Sequence, residues 1–293
     1  MSVPAARPPA RVLVVGSLNV DVIAGVRNLP RPGETVVAIG SQVCPGGKGA
    51  NQAVAARGTG VQVLLAGAVG DDDHGRAYRR RLDALGIDTR FLMVDPHRAT
   101  GQAVVVVAHE GEADNLIVVL PGANHGLSSI LVTEALEALA PGDVVLFQLE
   151  IGPGLVEAAI LAAAERDLQI VLNLSPYADL SPQSLAAVDV VVVNEIEALQ
   201  LADLASAAPQ SLVVTLGAAG ASWDGVHRVG PQLPEHLVVD TTGAGDAFCG
   251  VLAAMLAQGF DREEALDAAL VAGADAVRHT GAQPGGALDP GSR

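Results

Sequence analysis

The chain has 293 residues, 50% of them hydrophobic, with 17 basic and 33 acidic side chains and a net charge of −16. That much apolar material builds a large core and excludes disorder as the main state. The acidic balance excludes a general nucleic-acid or anionic-membrane binder, because phosphate surfaces need a basic face. Two cysteines, Cys44 and Cys249, make no disulfide framework, and no uncharged apolar run reaches the roughly 18 residues of a membrane span. A cytoplasmic protein without nucleic-acid or membrane partners is the expectation.

Residues 1–10, rich in Pro and Ala, read as a loose tail. Residues 11–16 (RVLVVG) form a short β-branched run stopped by glycine, a buried strand. Asn19 and Asp21 follow it, two apart, so in extended chain both point the same way. Residues 20–40 hold Pro30, Pro32 and Gly33 between extended pieces. Next comes PGGKGAN, with Gly47, Lys48 and Asn51, ahead of a helical pattern over 52–57. Glycines before a helix let backbone N–H groups approach a polar ligand. Lys48 is also the one lysine among the 17 basic residues, which suggests a site that needs a compact ammonium. Gly49 stands where a Walker A loop needs Ser or Thr, so this is not one.

Buried strands are predicted at 61–65, 143–147, 169–172, 189–193 and 211–216, with helical spacing at 154–164 and 194–204. Near-continuous apolar strands alternating with helices mean a parallel sheet covered on both faces, an α/β fold. Residues 102–107 and 115–120 flank Glu110, Gly111 and Glu112 and read as a hairpin outside that sheet. No linker divides the rest. Polar residues cluster at predicted strand ends, where ligands of α/β sheets bind. They are Glu150 after 143–147, Asn194 and Glu197 after 189–193, and Thr215, Gly217 and Gly220 after 211–216. Asn194 and Glu197, three apart on a helix face, suit water around Mg²⁺, although any helix cap looks alike. Last comes DTTGAGDAF, residues 240–248, before an apolar helix. Its small residues expose free N–H groups as an anion hole, and Asp246 is placed as a general base.

These motifs carry a resemblance. GSLNVD (16–21), PGET (32–35) and GGKGANQA (46–53) resemble the ribokinases, and DTTGAGD (240–246) is similar to the second signature of the wider PfkB carbohydrate/purine kinase family. The likeness runs from about Arg11 to Pro284. It implies one kinase domain over 11–293, a ribokinase-like three-layer α/β/α sandwich with a mostly parallel central sheet. Segments 20–40 and 102–120 would form a small β-sheet lid that also makes a homodimer. The implied activity is transfer of the ATP γ-phosphoryl group to O5 of D-ribose. The alternatives are another sugar or nucleoside kinase, such as a deoxyribokinase, or a non-catalytic binding protein of the same fold. By position, Asn19, Asp21, Gly47, Lys48, Asn51 and Glu150 would hold sugar hydroxyls, and Asp246 would take the proton. Gly243, Ala244 and Gly245 would stabilise the charge. Asn194, Thr215, Gly217, Gly220 and Gly245 would bind ATP, and Glu197 would help place Mg²⁺. A K⁺ site would draw on Asp240 and Thr242 with the carbonyls of Ala276, His279 and Gly281. The chain departs from the pattern in four places. Gly285 replaces a serine ion ligand, which weakens the expected K⁺ site. Leu270 stands where Asn or His often meets adenosine. The stretch 197–215 is short, and a last helix is not expected after Pro284.

Overall fold

The computed structural model describes residues 10–108, 115–203, 209–285 and 288. The expected tail, the turn at Glu110–Glu112, part of the short 197–215 stretch and most of the chain beyond Gly285 lie outside these residues.

In chain order the elements are β1 (Arg11–Val15), β2 (Asn19–Val26), β3 (Gly40–Gly46), α1 (Lys48–Gly58), β4 (Gln62–Gly70), α2 (Asp73–Ala84), β5 (Leu92–Asp95), β6 (Gly101–Ala108) and β7 (Asn115–Leu120). There follow α3 (Ser129–Glu137), β8 (Val144–Phe147), α4 (Pro153–Ala164), β9 (Gln169–Asn173), α5 (Pro182–Ala186), β10 (Val190–Asn194) and α6 (Glu195–Asp203). The last are β11 (Leu212–Thr215), β12 (Ala221–Trp223), β13 (Val226–Arg228), α7 (Ala244–Ala257) and α8 (Arg262–Ala276).

The main sheet runs β13-β12-β11-β10-β9-β8-β1-β4-β5, parallel from β11 to β5 and antiparallel at β12 and β13. Its strands are apolar on both sides because both faces are covered. In β1, Val12 and Val14 pack into the layer of α1, α2, α7 and α8, while Leu13 and Val15 pack into that of α3–α6. This is the expected α/β/α sandwich. Strand order reverses at β1, which has β4 on one side and β8 on the other. The loops after β1 and β8 therefore diverge and open a crevice, the usual ligand position in such sheets.

A second sheet, β3-β2-β6-β7, stands apart from the first. It contains both segments expected to form the lid, with one correction. Residues 27–39 do not continue the strands. Pro30 and Pro32 have no N–H to give a ladder, and Gly33 turns the chain at φ +85°. A second correction concerns α1, which starts at Lys48 rather than at residue 52. Gly47 caps it at φ 87°, where a Cβ would lie 2.5 Å from the Asn19 nitrogen, so only glycine allows so abrupt an entry.

Candidate active site

The residues predicted to hold the sugar gather around the crevice between β1 and β8. The Ser17 hydroxyl, after β1, donates to Glu150 Oε2, after β8. The same carboxylate oxygen accepts the Lys48 backbone N–H at 3.1 Å. Gly49 approaches so closely that a Cβ would lie 2.5 Å from the Gly16 carbonyl carbon. The glycines thus bring α1 onto the end of β1 and set Lys48 beside the carboxylates. Burial works against the Lys48 charge, but the fields of Asp246 and Glu150 outweigh it and hold the ammonium above its usual pKa.

Asp246 lies in the first turn of α7, buried at 7% exposure. Gly243 caps that helix at φ 79°, where a Cβ would strike the Ala282 Cα at 2.6 Å. Each carboxylate oxygen accepts one amide. Asn51 Nδ2 donates to Oδ2 at 2.9 Å, and Gln52 Nε2 donates to Oδ1 at 3.0 Å. Among the expected anion-hole amides, Ala244 N donates to the Thr241 carbonyl at 3.3 Å. The amides of Gly245 and Asp246 open the helix and have no acceptor within it.

Asn19 and Asp21 lie on β2, where the lid sheet meets the crevice. Asn124, unflagged by the sequence, donates from Nδ2 to Asn19 Oδ1 at 2.8 Å, so Asn19 presents its NH₂ as the remaining donor. Asp21 packs over Gly46, whose Cβ would collide with its carboxylate. Burial first, then the fields of Glu150 and Asp246, raise the Asp21 pKa from 3.8 to about 7. The folded chain therefore keeps that proton to about pH 7, whereas the unfolded chain releases it near 3.8. Stability is lost as pH rises through this window. Asp21→Asn should raise the unfolding free energy little at pH 4 and most above pH 7, by on the order of 1–4 kcal/mol, and the melting temperature with it. A thermal-melt series across pH checks it, and an equal gain at every pH would contradict it.

On the far side of α7 lies a cavity of about 390 Å³ lined by Thr215, Gly217, Gly220, Gly245, Phe248 and Leu270, among others. Gly245 lines this cavity and directly precedes Asp246, so the two halves of the site meet at one helix start. Asn194 does not line it. Instead Asn194 Oδ1 accepts Glu197 N at 2.8 Å, and Glu197 Oε2 accepts Asn194 N at 2.9 Å, the reciprocal cap of α6. Glu197 is nonetheless buried, and Lys48 feels its charge.

Asp240 ties two loops, accepting from Thr242 N and Gly281 N, both at 2.9 Å. The stretch holding Ala276, His279 and Gly281 therefore lies beside Asp240. No cluster of three His, Cys, Asp or Glu side chains able to hold a metal occurs among the described residues.

Sequence reasoning missed the buried amides around Asp246. Gln52 Nε2 also donates to Asn173 Oδ1 at 3.1 Å, and Gln148 Nε2 donates to Gln52 Oε1. Gln283 Nε2 donates to Asn51 Oδ1 at 2.9 Å. Asn173 closes β9 and Gln148 follows β8, so the strand-end rule that singled out Glu150 applies to both.

The chain is similar to known proteins along most of its length. The chain is 36% identical to a ribokinase of Bacillus subtilis (strain 168), covering 94% of this chain and 95% of that protein. It is 34% identical to a deoxyribokinase of Salmonella typhi, covering 93% and 94%. A solved structure of Arabidopsis thaliana ribokinase complexed with ribose and ATP matches with a TM-score of 0.80 at 27% identity, covering 94% of this chain and 95% of that one. A family model described as pfkB family carbohydrate kinase matches residues 9–287. With Asp246 in the first turn of the glycine-capped α7, between the β1–β8 crevice and that cavity, the chain belongs to the pfkB family of carbohydrate kinases.

Proposed function

We propose that this enzyme transfers the γ-phosphoryl group of ATP to O5 of D-ribose, giving D-ribose 5-phosphate and ADP. The observation that carries the reading is Asp246, a buried carboxylate at a helix start, with hydroxyl-binding groups on one side and a cavity on the other. Asn19, Asp21, Asn51 and Glu150 are the hydrogen-bonding groups for the sugar, with Gly47 allowing close approach and Lys48 supplying positive charge. Asp246 accepts the proton of the attacking hydroxyl. The new bond joins O5 to the γ-phosphorus, and the bridging oxygen leaves with ADP. Of the expected anion hole, the Gly245 amide, joined by that of Asp246 and the α7 dipole, faces the charge spread over the transferring group. Thr215, Gly217, Gly220 and Gly245 border the adenosine and phosphates, and Asn194 supports that edge through its cap. When bound, Mg²⁺ supplies charge neutralisation on the phosphates, and Glu197 would hold its water. Kinetics with a sugar panel test the substrate, with ribose expected to give a higher kcat/KM than 2-deoxyribose or nucleosides. A preference for 2-deoxyribose would replace ribose with the activity named for the Salmonella typhi relative.

The K⁺ site would use Asp240, Thr242 and the carbonyls of Ala276, His279 and Gly281. Gly285 has φ +97°, a conformation that resists any side chain, so no serine oxygen joins this site without rearranging the loop. K⁺ should therefore activate the enzyme less than it does a relative with serine there, and Gly285→Ser should not restore full dependence. Titrating K⁺ against rate checks this, and a restored dependence in the variant would contradict it.

The lid would also form a homodimer contact. Leu116, Ile117, Val118, Val119 and Leu120 are 47–55% exposed on the edge strand β7, and such apolar edges are normally paired or covered. Mass measured by light scattering tests this contact. The protein would act in the cytoplasm, and no helix among the described residues is long and apolar enough to cross a membrane.

A further inference from the structure

Asp246 is useful only if both carboxylate oxygens meet donors rather than acceptors. Asn51 supplies one of those donors, yet an asparagine amide has nearly the same shape when flipped, with its oxygen where the nitrogen was. Flipped, Asn51 would set a carbonyl oxygen against Asp246 Oδ2. Some other group has to choose between the two orientations.

The choice can be traced to a backbone carbonyl. The Tyr78 hydroxyl lies 2.6 Å from the Gly46 carbonyl, which only accepts, so the phenol must donate there. Tyr78 is fully buried, and that burial keeps the phenol protonated. Its oxygen lone pairs are then left to accept, and Gln283 Nε2 donates to them at 2.7 Å. Arg81 Nε, an obligate donor, reaches Gln283 Oε1 at 3.3 Å and fixes the same orientation from the other end. Arg81 Nη2 also donates to the Pro284 carbonyl at 2.6 Å. Held in this way, Gln283 Nε2 meets Asn51 Oδ1 at 2.9 Å, which turns Asn51 Nδ2 toward Asp246. Gln283 and Asn51 are 4% and 6% exposed, so water does not compete for these positions.

We propose that Gln283 is a positioning residue that passes hydrogen-bond polarity from Tyr78 and Arg81 to Asn51, and so presents a donor to the catalytic carboxylate. It acts through Asn51 and does not touch substrate. The proposal rests on the assignment of Asp246 as the base. It also joins the 281–285 segment and lid strand β3, through Gly46, to the reacting centre.

Two near-isosteric variants test it. Gln283→Glu keeps the volume and gains an ion pair with Arg81, but it offers only acceptors to Asn51. Its kcat should fall by on the order of 10- to 100-fold, the cost of disrupting a hydrogen bond to a charged group. KM for ATP should stay near that of the parent, while the melting temperature should fall modestly because the Tyr78 and Asn51 oxygens lose their donor and the Arg81 ion pair offsets only part of that. Gln283→Met removes the bonds without reversing their sense, so it should lose less kcat than the glutamate variant. A merely structural role reverses that order, because glutamate retains the Arg81 tie and methionine does not. A glutamate variant within twofold of parental kcat, or a methionine variant slower than it, overturns the proposal. If Gln283→Glu does not fold, Gln283→Met carries the test alone. A several-fold lower kcat with KM for ATP unchanged supports the role, and parental kcat overturns it. Asp246→Asn is assayed alongside. If that variant is active, the base assignment itself fails. If it is inactive while Gln283→Glu is parental, only the relay fails.

Discussion

Asp246→Asn should lower kcat for ribose phosphorylation by about 10²–10⁴-fold, the usual contribution of a general base. The amide has nearly the shape of the carboxylate but cannot take the hydroxyl proton. A helix-cap role for Asp246, under which Asn would be nearly silent, is removed by the geometry. Gly243 is the N-cap of α7 with no side-chain bond, and both Asp246 oxygens point to amides on α1. Those bonds also give the variant a stability cost. The new NH₂ must face either Asn51 Nδ2 or Gln52 Nε2, both donors, so one bond is lost and about 1–3 kcal/mol with it. The fold should survive, and the α7 amides should sustain a residual rate. kcat and melting temperature measured on one preparation check both parts. Near-parental kcat would contradict the catalytic assignment.

Lys48→Met should lower kcat/KM for ribose by about 10- to 100-fold, because it removes the positive charge that sits in the fields of Asp246 and Glu150. Without the ammonium, the carboxylates of Asp21, Glu150 and Asp246 face one another uncompensated. Burial first, then the fields of Glu150 and Asp246, already push the Asp21 pKa up to about 7. Lys48→Arg should recover only part of the loss. The α1 start is pressed against the Gly16 backbone through Gly49, and a longer planar guanidinium does not fit the space of a compact ammonium. A ribose titration of both variants checks this. Parental kcat/KM in the arginine variant would show that charge alone suffices.

The sandwich was legible because its strands are short runs of Val, Leu and Ile between helical patterns, a signal local in sequence. The strands 11–16, 143–147, 169–172, 189–193 and 211–216 match β1, β8, β9, β10 and β11 within one or two residues. Strands β12 and β13 have three residues each, too few to establish a period. In the site, the glycine motifs reveal themselves because glycine leaves few other reasons for such runs. The amides do not. Gln52 reads as an ordinary polar helix position, and nothing local in 281–285 indicates that Gln283 reaches Asn51, 232 residues away in sequence. Asn194 and Glu197 teach the converse lesson. Their spacing suits water around a metal and also suits a helix cap, and the hydrogen bonds here are those of the cap.

The central claim is phosphoryl transfer to a ribose hydroxyl with Asp246 as base. Its most direct test incubates purified parent and Asp246→Asn with ATP, Mg²⁺ and D-ribose and follows the products by phosphorus and carbon NMR. The account predicts one sugar phosphate, esterified at C5 and formed in step with ADP, from the parent, and at least 10²-fold slower formation from the variant. ADP without sugar phosphate, phosphate at another carbon, or equal rates from the two proteins would contradict it.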